Sequence, residues 1–139
     1  MRPQVVVDTN VIVAGLRSRR GKAFQLLTLI GTEYFDIHLS VPLVFEYTEV
    51  LFRELSNLYL GRDEVDDILD FYCTVGIHHE IFFLWRPFLR DPKDDMVLEL
   101  AVKARCESII TYNTRDFAGV EQFGLKTLEP SEFLRLIGK

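Results

Sequence analysis

Histidine, cysteine and tryptophan are scarce in this chain, and so is net positive charge. Its 139 residues include three histidines, two cysteines and one tryptophan, and 21 acidic residues outnumber 16 basic ones. Cys73 and Cys106 lie far apart with no paired-cysteine motif beside either. That argues against a zinc site or a disulfide framework and suits reduced, buried thiols. No apolar run approaches the roughly eighteen residues that a membrane span needs. The start has no signal-peptide pattern, because Val5-Val6-Val7 runs straight into Asp8. A cytoplasmic protein without a membrane partner is the expectation. The formal net charge of −5 argues against simple electrostatic binding of nucleic acid. Internal repeats, linkers and low-complexity tracts are also missing. A composition of 48% hydrophobic and 27% charged residues is that of one globular domain over residues 1–139.

What is present begins with Val5-Val6-Val7-Asp8-Thr9-Asn10. Three β-branched apolar residues in a row read as a strand buried on both faces, as in the middle of a parallel sheet. A carboxylate, a hydroxyl and an amide then stand where ligands sit in open α/β sheets, at a strand's carboxyl end. Asp8 equally suits the capping of the helix that follows.

The rest of the chain alternates. A helix through Val11, Ile12, Ala14 and Leu16 breaks at Arg17-Ser18-Arg19-Arg20-Gly21, and Lys22 to Ile30 is a second helix. Tyr34 to Val41 alternates as a half-buried strand, with His38 expected to face solvent. Pro42 sits near the start of a helix whose stripe runs from Leu43 through Tyr47 and Leu51 to Leu58. Asp63 is the expected cap of a helix reaching Gly76, and Ile77 to Trp85 reads as a strand, with either His78 or His79 facing solvent. Asp91-Pro92 starts a helix that is apolar nearly all round from Met96 to Arg105. Ser108 to Thr111 and Leu125 to Leu128 are short strands, and Pro130-Ser131 opens a terminal helix. This alternation implies a mainly parallel sheet with helices on both faces.

Candidate acids fall at strand ends and helix starts, which share one edge of such a sheet: Asp8, Glu46, Asp94-Asp95 and Asp116. Each has an incidental explanation. Glu46 could be a solvated helix residue, with Glu54 as its rival on the same stripe. Asp91 or Asp94 suits a helix N-terminus. Asp116 and Asn113 suit turns. Asp95 directly precedes the buried run and is expected to point into the cleft. One shared cause explains all of these placements better than four separate ones. Clustered carboxylates raise one another's pKa unless a cation sits among them. All-oxygen ligation suits Mg²⁺ or Mn²⁺.

From Val5 to Ile137 the sequence resembles the PIN-domain nucleases, and within them the PIN-family toxins of prokaryotic toxin–antitoxin pairs. The resemblance rests on an ordered set of segments. These are Val7-Asp8-Thr9-Asn10-Val11, Glu46 after Ser40-Val41-Pro42, Arg90-Asp91-Pro92-Lys93-Asp94-Asp95 before an apolar helix, and Ile110-Thr111-Tyr112-Asn113-Thr114-Arg115-Asp116-Phe117. It implies the family's three-layer α/β fold and metal-dependent endoribonuclease activity. Asp8, Glu46 and Asp95 match the core acids, and Asp116 is favoured as the fourth, with Asp8, Asp95 and Asp116 holding Mg²⁺ or Mn²⁺. Thr9, Asn10, Thr111 and Asn113 would support them. The resemblance also implies an RNA substrate, an antitoxin partner, and a homodimer or higher homo-oligomer.

Two rivals differ in class. A haloacid-dehalogenase-type phosphatase also has an Asp after its first strand, but needs another Asp two residues on, where this chain has Asn10. A non-catalytic RNA- or protein-binding module on the same scaffold would be expected to have lost some acids, whereas a candidate stands at every position. For RNA contact the basic residues Arg17, Arg19, Arg20, Lys22 and Arg115 are the candidates, since cations near phosphates position a strand without reading it. A solvated loop explains the Arg17 to Lys22 cluster as readily.

Overall fold

The computed structural model describes residues 2–81 and 88–139. Five strands, in the order β3-β2-β1-β4-β5, form a sheet in which every neighbouring pair is parallel. They are β1 (Gln4–Val7), β2 (Asp36–Ser40), β3 (Ile77–His79), β4 (Ser108–Ile110) and β5 (Lys126–Leu128). The helices are α1 (Thr9–Arg17), α2 (Lys22–Thr28), α3 (Val41–Arg53), α4 (Arg62–Val75), α5 (Pro92–Lys103) and α6 (Pro130–Leu136).

The apolar first strand takes the central place because both its faces can be covered. Val5, Val6 and Val7 are at most 1% exposed, and fully burying side chains of this kind contributes about 1.5–3 kcal/mol each. The chain runs outward from β1 through β2 to β3, then crosses to β4 on the other side of β1 and on to β5. In such sheets the crevice at the strands' carboxyl ends, where the order reverses, is the ligand position. Asp8 and Thr111 stand directly after β1 and β4, and Ser40 is the last residue of β2. Ser40 caps α3 through Oγ, which accepts from the Leu43 N–H at 3.3 Å.

Several expectations change. The stripe of α3 stops at Arg53 instead of Leu58, and a 3₁₀ turn covers Leu55–Asn57. The chain turns because the Tyr59 N–H bonds the Leu16 carbonyl at 3.2 Å, a tie to α1 that periodicity does not encode. Gly61 rather than Asp63 precedes α4, and the Glu64 carboxylate accepts from the Gly61 N–H at 3.0 Å. Of the strand expected over 77–85, Ile77–His79 forms β3, and the expected part beyond Ile81 lies outside the described residues.

His38 is buried rather than facing solvent, whereas His78 is exposed. Because β2 lies between two strands in a sheet covered on both faces, the polar side of its alternation is buried as well. Its ring nitrogens find partners there, Nδ1 with His79 Nε2 at 2.8 Å and Nε2 with Gln4 Oε1 at 2.6 Å. Cys73 and Cys106 are unpaired thiols, as expected. Among the described residues no helix is long and apolar enough to cross a membrane.

Candidate active site

Asp8 caps α1 and faces the crevice at once. Its Oδ1 accepts from the Thr9 N–H at 2.9 Å. Its Oδ2 accepts from the Thr111 hydroxyl at 2.8 Å and from Asn10 Nδ2 at 3.3 Å. Thr111, 103 residues further on, brings the end of β4 against the end of β1. Asn10 completes the tie, with Nδ2 on Thr111 Oγ1 at 3.3 Å and Oδ1 accepting from the Tyr112 N–H at 3.2 Å. The Asn113 N–H also bonds Thr111 Oγ1, at 3.0 Å. Buried Tyr47 donates its hydroxyl to the Val7 carbonyl just before Asp8. Burial holds that phenol far above its ordinary pKa, so it stays a donor.

Glu46 lies one turn into α3 and accepts from the Thr9 hydroxyl at 2.5 Å. Its other oxygen is 3.7 Å from Lys93 Nζ, which links α3 to α5. Asp116 is in the 3₁₀ turn Thr114–Phe117 beyond β4. The Asp8 carboxyl is raised above its ordinary value, first by burial and further by the charges of Glu46 and Asp116, against the hydrogen bonds from Thr111 and Thr9.

Asp94 and Asp95 divide their duties otherwise than expected. Asp91 caps α5, its Oδ1 accepting from the Lys93 N–H at 2.9 Å. Asp95, buried, turns its Oδ1 to the N–H groups of Phe88 and Leu89 at 3.2 and 2.8 Å. Asp94 is the one that feels the other acids. Burial first, then the charges of Asp8, Asp91, Asp116 and Glu46, push its carboxyl up to about 7. A signal existed in the sequence, since Asp94 shares an i, i+3, i+4, i+7 stripe with Val97, Leu98 and Ala101, all buried.

A cleft of about 560 Å³ is lined by Phe88, Arg90, Asp91, Asp94, Arg115 and Asp116, among others. Arg115 therefore borders the acids, and so does Arg90, which the charge pattern alone did not single out. Arg17, Arg19, Arg20 and Lys22 are exposed and do not line this cleft. Arg19 instead lies 4.6 Å over the ring of Tyr59.

Asp8, Glu46, Asp94 and Asp116 thus share one electrostatic neighbourhood without closing on a point. Among the described residues no three His, Cys, Asp or Glu side chains are near enough to hold one metal ion. The set is nonetheless all oxygen, and its mutual repulsion is what a hard divalent cation relieves.

A doubly wound parallel sheet with acids gathered at its switch point defines a class, the α/β proteins that bind at strand ends. Within it the affiliation is specific. The family model for the PIN domain matches residues 4–115, and the chain belongs to that family. PIN domains are generally nucleases and typically use divalent metals. A comparison with curated proteins finds no match. The fold is similar to that of a chain in the crystal structure of VapBC2 from Rickettsia felis bound to a DNA fragment from their promoter. That likeness has a TM-score of 0.61 at 11% identity and covers 91% of this chain and 99% of that one.

Proposed function

We propose that this protein is a Mg²⁺- or Mn²⁺-dependent endoribonuclease that hydrolyses RNA phosphodiester bonds in the cytoplasm, as the toxin of a toxin–antitoxin pair. The carrying observation is the shared field of Asp8, Glu46, Asp94 and Asp116 at the switch point of a PIN fold, with Asp94 raised to about 7. Asp8, Asp94 and Asp116 are the residues proposed to hold the cation, with Glu46 beside them. Asp95 acts on the site through the backbone it anchors. A bound cation would supply Lewis acidity toward a phosphoryl oxygen and lower the pKa of a water.

The chain's own residues do the remaining work. Thr9 and Thr111 fix the orientations of Glu46 and Asp8. Burial and acidic neighbours hold the Asp94 carboxyl up to about 7, and a cation beside it would favour its ionised, ligating form. Arg90 and Arg115, bordering the same cleft, offer fork-shaped donors to phosphate. The likeness of fold to a chain of VapBC2 is in keeping with a protein partner, here an antitoxin acting on a homodimer or higher homo-oligomer.

The separation of the acids favours a second reading, a module on the PIN scaffold that binds RNA or protein without cutting. Incubating labelled RNA with the purified protein separates the two. Cleavage is expected with Mg²⁺ or Mn²⁺ and not in EDTA. Asp8→Asn and Asp94→Asn are each expected to slow it by on the order of a hundredfold, and Asp95→Asn by less. RNA left intact under all conditions, or cut equally by Asp8→Asn, contradicts the nuclease reading.

A further inference from the structure

We propose that Phe88 and Phe123 form a stacking platform for an unpaired base of the RNA entering the acid cleft. This rests on the nuclease reading above and adds to it a site for the base.

The two rings meet edge to face, 5.1 Å between centroids at 79°. They are 41% and 45% exposed, so each keeps much of its surface in water. Single exposed aromatics are ordinary; this pair is held in place by its surroundings. Asp95 takes the N–H of Phe88 and of the next residue, which fixes the backbone beneath the ring. Gly119, in the left-handed region at φ 93°, lies beside the tip of the Phe88 ring. A Cβ on Gly119 would come within 3.2 Å of Phe88 Cζ, so glycine there lets the ring lie close. Phe123 ends the 3₁₀ turn Val120–Phe123, flanked by Gly119 and Gly124, both left-handed.

Phe88 also borders the cleft that holds Asp94 and Asp116, together with Arg90 and Arg115. An aromatic surface, two guanidinium groups and the carboxylates therefore adjoin, and these match a base, its phosphates and the bond to be cut. Every base has a π face, so stacking tolerates sequence, and guanidinium contacts to phosphate add position without reading it. Inside a duplex that face is already covered by the neighbouring base, which leaves only unpaired nucleotides able to use the platform.

The test is the affinity of a labelled RNA of about ten nucleotides, measured by fluorescence anisotropy at low salt in calcium, with the RNA checked for integrity. It is read for the unaltered protein, for Phe88→Leu and for Phe123→Leu, all checked for fold by circular dichroism. The platform predicts that each leucine weakens single-stranded binding about tenfold and duplex binding little. It also predicts that removing one base in turn along the strand reproduces the loss at one position, in the unaltered protein, and that Phe88→Leu no longer senses that removal. The scan of base removal carries the test even if a variant does not fold. Tight binding that neither the leucines nor any missing base disturbs overturns the platform alone. No binding of either RNA by the unaltered protein overturns the nuclease reading and the platform with it.

Discussion

Asp94 and Asp95 adjoin in sequence yet meet opposite surroundings. One carboxylate satisfies two backbone N–H groups, and the other faces charges of its own sign. A helix turns about 100° per residue, so neighbouring positions near an N-terminus point to different neighbourhoods. The acid-base consequence has a definite sign. In the metal-free protein the folded state keeps the Asp94 proton up to about 7, whereas the unfolded chain releases it near 3.8. Over that range the native state binds more protons, so this group makes stability fall as pH rises from about 4 to 7. Thermal unfolding in EDTA across that range should decline less in Asp94→Asn than in the unaltered protein, and Mg²⁺ should narrow the difference. Parallel curves for the two proteins would contradict the placement of Asp94.

At the scale of elements, the start of α5 matters most, because one turn of helix carries the cap Asp91, the cleft-lining Asp94 and the anchoring Asp95. Replacing Asp91 with Ala should cost about 1 kcal/mol of stability by the loss of the bond to the Lys93 N–H. Urea unfolding checks it, and an unchanged midpoint would show that the cap contributes nothing. The elements were the most legible part of the chain. The valine run gave away β1, and Pro42 and Asp91-Pro92 announced α3 and α5, because each of these signals is local. What went unread was tertiary. The end of α3 depends on a bond from Tyr59 to Leu16, and the burial of His38 depends on His79 and Gln4 arriving from neighbouring strands.

Across the whole molecule, the parallel alternation and the shared edge of strand ends were legible, since topology follows from the order of elements. That route put Asp8, Glu46 and Asp116 on one edge, and there their charges act on one another and on Asp94. Less legible were the turning of Asp94 rather than Asp95 toward the other acids and the placing of Arg90 in the cleft, because a shift of one residue or a neighbouring loop leaves the order of elements unchanged. Long-range ties such as that from Thr111 to Asp8 then convert topology into a site. The central claim is that acids remote along the chain converge on one hard cation. A crystal soaked in manganese and measured at a wavelength sensitive to that metal addresses it directly. The expected result is an anomalous peak ligated by Asp8 with Asp94 or Asp116, the carboxylates drawn together around it. Density for manganese only elsewhere, with these side chains still apart, would contradict the account.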